Sequence, residues 1–171
     1  MKCWPLLAII SVVCRGEAQD LQSAGVRGGI SLNSHSYTFR QAEAFAEMNL
    51  PWRWDFHSDW YFQTRLDASA GWLGGKETDA FIGTIGPVLE LGKEKFPLTL
   101  EAGFSPTVLS RHEFGIKDFG DWFQFTTHVG LNWDVTKHLR VGYRYQHMSN
   151  AGLAEPNPGL NLHMISVSWR F

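Results

Sequence analysis

The chain has 171 residues, enough for one domain, and its 15 Lys and Arg against 17 Asp and Glu leave a net charge of −2. That balance supplies neither the basic field of a nucleic-acid binder nor a polybasic membrane patch. A mean hydropathy of −0.19 is too polar for a bundle of membrane helices, yet 14% of the residues are aromatic, with 8 Trp, and 17 are Gly. A membrane barrel whose strands alternate apolar and polar residues has such a composition; an aromatic-rich soluble β-sandwich shares it.

The N-terminal segment shifts the balance between these two classes. Met1 and Lys2 make a short basic start, Trp4 to Val13 a compact apolar run, and Gly16-Glu17-Ala18 the small residues that a signal peptidase reads. The pattern predicts a removable signal over 1–18 and a single domain over 19–171. The apolar run is too short to cross a bilayer as a helix. Lipidation at Cys14 would call for a different approach than Ser11-Val12-Val13. Both cysteines, Cys3 and Cys14, fall in the removable part, so the remaining domain requires no disulfide framework and no thiolate metal site.

Beyond the signal, alternating segments are separated by turn residues, and no long apolar stretch follows. Strands are predicted near 23–34, 38–53, 57–73, 79–91, 96–109, 120–133, 137–149 and 160–171. Eight is the smallest number usual for an outer-membrane barrel. In the third strand Trp60, Phe62, Leu66, Ala68, Ala70 and Trp72 share one face, opposite Asp59, Tyr61, Gln63, Arg65, Asp67 and Ser69. In the fourth, Gly86-Pro87 interrupts the period and predicts a bulge or a break. The fifth alternates Leu98, Leu100, Ala102 and Phe104 with Thr99, Glu101, Gly103 and Ser105. The sixth sets Phe123, Phe125, Val129 and Leu131 against Gln124, Thr126, His128 and Asn132.

A soluble sandwich would bury the apolar face; a small membrane barrel turns it to lipid and fills its lumen with the polar one. The polar positions carry Arg27, Arg65, Arg140, Arg144 and Arg170 together with Glu43, Glu47, Asp59, Asp67 and Glu101. Such a balanced set can pair within a narrow lumen, where an unpaired charge is expensive. Trp52, Trp60, Trp72, Trp133 and Trp169 fall near strand ends, as aromatic girdles do. The fold class expected is therefore all-β, an eight-stranded antiparallel transmembrane β-barrel of outer-membrane type. The closing Trp169-Arg170-Phe171 also resembles the terminal assembly signal of bacterial outer-membrane proteins.

The seventh strand puts Leu139, Val141, Tyr143 and Tyr145 on its lipid face, and His147 and Ser149 continue the same parity. The eighth does likewise, Asn161 and His163 continuing the face of Ile165, Val167 and Trp169. Polar groups facing hydrocarbon are costly and invite a functional reason; alternatively the strands end here, in the wet headgroup region, where such residues cost little.

The run Tyr143-Arg144-Tyr145-Gln146-His147-Met148-Ser149-Asn150-Ala151-Gly152-Leu153, continued by Glu155-Pro156-Asn157-Pro158-Gly159-Leu160, closely resembles the active-site strand and loop of the lipid A 3-O-deacylases. The likeness is specific over about the last 30 residues, and length, signal, strand count and the sixth strand agree with it. The resemblance implies a serine-hydrolase-like esterase on the outer wall of a barrel, with Ser149 as nucleophile and His147 as general base. It implies oxyanion-stabilising positions at Asn150 and Gly152 and a further polar loop position at Asn157. Ester hydrolysis needs a hydroxyl deprotonated by a nearby base, a task suited to imidazole, and donors for the tetrahedral intermediate, which an Asn amide and a loop N–H can supply.

Where members of that family carry Glu or Asp to orient the histidine, this sequence has Asn161. An antiparallel partner strand would set it beside His147, and Asn can fix an imidazole tautomer as in Cys-His-Asn sites, but without a full negative charge. Glu155 is the nearest acid. The resemblance further implies lipid A or lipopolysaccharide as substrate, a multi-pass position in the outer membrane among its lipids, and no cofactor; a homodimer is left open. No His or acid cluster has metal-ligand spacing, and no glycine-rich phosphate loop occurs. His35, His57, His112 and His138 read as solvated loop histidines, and His128 as an interior lumen residue. Arg40, Arg53, Lys76, Arg111 and Lys117 read as solvated charges or as contacts to lipid phosphates. The rival from another class is a non-catalytic barrel with a structural, adhesion or resistance role; a general acyl-ester hydrolase differs only in substrate.

Overall fold

A computed structural model describes residues 21–32, 38–75 and 77–171. The predicted signal over 1–18, His35 and Lys76 lie outside the described residues.

The strands in chain order are β1 (Leu21–Ile30), β2 (Arg40–Asp55), β3 (Trp60–Gly75), β4 (Thr78–Lys93), β5 (Leu98–Leu109), β6 (Glu113–Phe114), β7 (Lys117–Asp118), β8 (Phe123–Asp134), β9 (Leu139–Ser149) and β10 (Leu160–Arg170). Eight of them close into a barrel in the order β1-β10-β9-β8-β5-β4-β3-β2, while β6 and β7 form a separate hairpin in the long connection from β5 to β8. Neighbours run antiparallel, and β1 pairs with β10 to close the wall. Each of the eight predicted strands corresponds to one barrel strand.

Three local expectations need correction. The third strand begins at Trp60, because His57–Asp59 form a 3-10 turn with Ser58 and Asp59 at φ 63° and 65°. Asp59 is thus an exposed turn residue and not a lumen acid. Gly86-Pro87 makes neither bulge nor break: β4 stays in register with β3 throughout. Only the ladder to β5 lapses, between Thr84 and Val88, and it resumes in the same register. Pro87 and Pro106 both lack the N–H that a ladder requires. The irregularity falls instead in β2, where the pairing with β3 shifts between Asn49 and Arg53, around Pro51.

Period-two alternation holds around the wall. Along β9 the even-numbered residues from Arg140 to Met148 are buried, while the odd-numbered ones are half-buried or exposed. The lumen charges pair as their balance suggested. Arg27 bonds Glu43 and Asp67, and Arg144 lies 2.8 Å from Glu101. Two acids absent from the expected set complete the network. Glu90, 0% exposed, accepts from both nitrogens of Arg65 at 2.6 and 2.7 Å and from Arg140 at 2.7 Å. Asp134 takes Arg140 and Arg170 at 2.6 and 2.7 Å. His128 is buried beside Glu101, in the lumen as its parity predicted.

Towards the end bearing the long loops the lumen turns apolar, which the alternation did not lead one to expect. Leu73, Ile82, Leu109, Met148, Leu162 and Met164 meet Phe39, Phe114 and Phe119 in one buried cluster. The outer wall is the reverse of a soluble surface. Val26, Ile85, Leu100, Val129 and Ile165 are 62, 53, 55, 59 and 63% exposed, as side chains surrounded by lipid would be. Trp52, Trp54, Trp60, Trp133 and Trp169 ring the end with short turns, and Trp72 and Trp122 stand exposed towards the other.

Candidate active site

His147 and Asn161 face each other across β9 and β10, and His147 Nδ1 lies 2.7 Å from Asn161 Oδ1. An amide oxygen only accepts, so Nδ1 carries the proton and Nε2 keeps its lone pair free, the tautomer a general base needs. Glu155 is exposed and makes no hydrogen bond or ion pair with His147 among the described residues. Asn161 is the group bonded to the imidazole.

Ser149, the last residue of β9, shares the outer face with His147 and is half-buried opposite Phe125. Its hydroxyl makes no hydrogen bond among the described residues. Catalytic hydrogen bonds are often absent from a substrate-free site and form with the substrate.

The loop after Ser149 is built around Asn150, which is 0% exposed. Its Nδ2 donates to the carbonyls of Phe119 and Ala154 at 2.9 Å and approaches that of Pro156 at 3.3 Å. Its Oδ1 accepts from Gly152 N–H at 2.8 Å. The side-chain amide of Asn150 and the N–H of Gly152, both expected as oxyanion donors, are engaged within the loop here. Both are spent on shaping the loop. Asn150 follows Gln146 and Met148 on the inward face.

Asn157 takes a clearer position. Its Oδ1 accepts the backbone N–H of Asn150, the residue after Ser149, at 3.2 Å, which fixes the amide plane, and its Nδ2 makes no hydrogen bond among the described residues. The N–H of Ala151 is also uncommitted among the described residues. Ala151 and Gly152 are left-handed, at φ 54° and 78°. A Cβ on Gly152 would meet nothing within 4 Å, so backbone conformation and not crowding favours glycine there.

Gly159 did not stand out in the sequence. At φ +62°, a Cβ on it would lie 2.9 Å from Cε1 of His147; the backbone therefore backs directly onto the imidazole. A Gly in the loop facing a candidate base is the only signal that could have found it. One pair stands further down the same wall: Tyr143 OH and His163 Nδ1 are 2.7 Å apart, satisfying each other on the lipid face. In the β6–β7 region His112, Glu113 and Asp118 gather their ligand atoms within 4.8 Å, a grouping that sequence spacing did not reveal. His112 is not simply solvated, since its Nδ1 lies 2.7 Å from Asp118.

Comparison with known proteins bears on the family and the fold. The chain is 29% identical to the lipid A deacylase PagL of Bordetella bronchiseptica over 98% of its own length and 96% of that protein. It is 27% identical to the lipid A deacylase PagL of Pseudomonas aeruginosa, over 93% of each. The crystal structure of the outer membrane enzyme PagL superposes with a TM-score of 0.73 at 19% identity, covering 86% of this chain and 99% of that one. Neisserial surface protein A matches in fold at a TM-score of 0.50 and 13% identity, covering 88% and 97%. The family profile of lipid A 3-O-deacylase (PagL) matches residues 40–170, and the chain belongs to that family.

Proposed function

We propose that this protein is an outer-membrane esterase that removes the 3-O-linked acyl chain of lipid A, with Ser149 as nucleophile and His147 as general base. The observation that carries the reading is the 2.7 Å bond from His147 to Asn161 on the lipid-facing wall, one strand step from Ser149. Nε2 of His147 takes the hydroxyl proton as Ser149 Oγ attacks the ester carbonyl carbon. The proton then passes to the sugar oxygen as the C–O bond breaks, leaving an acyl-serine that water hydrolyses with the same base. Asn157 Nδ2 and the N–H of Ala151 are the donors available to the tetrahedral oxyanion. A soluble esterase would need a pocket for a fatty chain. Here the ester is already embedded beside the wall, so the chain lies along exposed Tyr145 and Leu153.

The test is mass spectrometry of lipid A from cells producing the wild type or Ser149→Ala. Loss of the 3-O acyl chain with the wild type alone is expected. Unaltered lipid A with both would instead favour a non-catalytic barrel, and loss of a different chain would redirect the substrate assignment.

A further inference from the structure

We propose that the β6–β7 hairpin is a positioning element for the esterase loop, acting through Asn150, with Asp118 and Gly120 as its working residues. The inference rests on the assignment of Ser149 and its loop made above.

The hairpin is anchored in the barrel mouth. Phe114 and Phe119 are 0 and 1% exposed and pack edge-on against Phe39 at centroid distances of 5.4 and 5.7 Å. Burying two aromatic side chains fixes the hairpin more firmly than its short ladder could. Its end is pinned a second time. Asp118 accepts from Gly120 N–H at 2.8 Å and bonds His112 Nδ1 at 2.7 Å, while Phe119 N–H donates to His112 O at 3.0 Å. These bonds fix where the Phe119 carbonyl points, and it points at Asn150 Nδ2.

Asn150 then passes that placement on. One buried amide ties the hairpin to Ala154, Pro156 and Gly152, and it directly follows Ser149 in the chain. Residues 151–158 are almost all exposed, so they have little packing of their own to order them. At Gly120 hairpin and loop touch through the backbone. At φ +80°, a Cβ there would lie 2.4 Å from the Pro156 carbonyl oxygen and 2.8 Å from Asn150 Nδ2. Only glycine permits that approach. Oxyanion donors act by being held in place before the reaction, and loss of one costs about 10²–10³ in kcat. The hairpin contributes none of these donors. It determines where Asn157 and Ala151 stand.

The experiment uses the full-length protein folded in detergent micelles, with Gly120→Ala, Asp118→Ala and Asp118→Asn. In lipid A hydrolysis, the first two should lower kcat by about tenfold or more with KM nearly unchanged, since a preorganised donor is blunted while binding is not. Asp118→Asn should recover most of the loss, because its Oδ1 still accepts from Gly120. Amide exchange over residues 150–157 should quicken in Gly120→Ala and Asp118→Ala while the barrel strands stay protected. Unchanged exchange there would overturn the coupling whether or not the protein is active. Unchanged kcat, a rise in KM alone, or an Asp118→Asn as impaired as Asp118→Ala would overturn the positioning role. Full activity in Ser149→Ala would instead remove the esterase assignment and leave the exchange result standing.

Discussion

His147 Nδ1 and Asn161 Oδ1 lie 2.7 Å apart on the outer wall of the barrel, joining β9 to β10 through side chains that face lipid. The same two strands are already joined by a continuous ladder from Leu160–Met148 to Trp169–Leu139, so the bond is not needed to hold the wall together. What it adds is one orientation and one tautomer for the imidazole.

Ser149→Ala and His147→Ala should each abolish deacylation while leaving the barrel folded. Both side chains point away from the packed lumen, and neither belongs to its ion-pair network. Heat-modifiable migration and a β-type circular dichroism spectrum report the fold, and lipid A mass spectra report the activity. Retained activity in Ser149→Ala would rule out the proposed nucleophile.

Gly159→Ala should lower turnover without unfolding the protein. The added methyl would stand 2.9 Å from Cε1 of His147 in a backbone at φ +62°, so either the ring or the loop must yield. A misplacement of about 1 Å in a reacting group can cost about 10²-fold. The loop lies outside the barrel ladder, so thermal stability should fall far less than activity. A kcat equal to that of the wild type would show that the imidazole tolerates the displacement.

The barrel was legible in the sequence because its two faces see different solvents. Wherever one side of a strand met lipid and the other a polar lumen, as at Arg140, Arg144 and Gln146 against Tyr143 and Tyr145, period two separated them. Legibility failed where that contrast vanished. Leu73, Leu109 and Leu162 point inward at the loop end, yet they are as apolar as the wall, and Phe114 and Phe119 of the long β5–β8 connection pack with them. Glu90 was hidden behind Gly86-Pro87, whose apparent break disguised the parity of the rest of β4. In the site, the adjacency of His147 and Asn161 followed from antiparallel pairing. The use of Asn150 did not, because its partners Phe119, Ala154 and Pro156 are main-chain carbonyls that no side-chain pattern reports.

Glu90→Gln should be among the more destabilising lumen substitutions. The carboxylate accepts from Arg65, Arg140, Tyr61 and Thr99, and the amide that replaces it would leave two buried guanidinium groups short of a counter-charge. Breaking a buried pair from one side costs about 3–5 kcal/mol. Glu47 and Asp134 lie within 3.5 and 2.6 Å of the two arginines and keep the loss near the lower figure. Urea unfolding in detergent micelles measures it. An unchanged midpoint would mean that the remaining acids satisfy both arginines by themselves.

Asn161→Asp should raise turnover, and Asn161→Ala should lower it. In the proposed reaction His147 becomes an imidazolium as Ser149 attacks, and the group on its Nδ1 is then bonded to a cation. The neutral amide already secures the tautomer, so the loss of about 10⁴ that follows from a wrong tautomer is avoided. What the amide lacks is the charge that strengthens as the transition state forms. In the transition state the aspartate would form an ion pair with the imidazolium where the amide offers only a dipole, so it should gain roughly tenfold in kcat. The gain arises in the transition state, which places it in kcat and not in KM. A carboxylate on the lipid-facing wall also carries a desolvation cost before the imidazole is charged, so a small loss of thermal stability should accompany the faster turnover. Asn161→Ala removes both tautomer and orientation and should fall well below the wild type. Lipid A deacylation by the three proteins in the same membranes decides the matter. Equal rates in all three would mean that another group orients His147, and an aspartate slower than the wild type would mean that desolvation outweighs the charge.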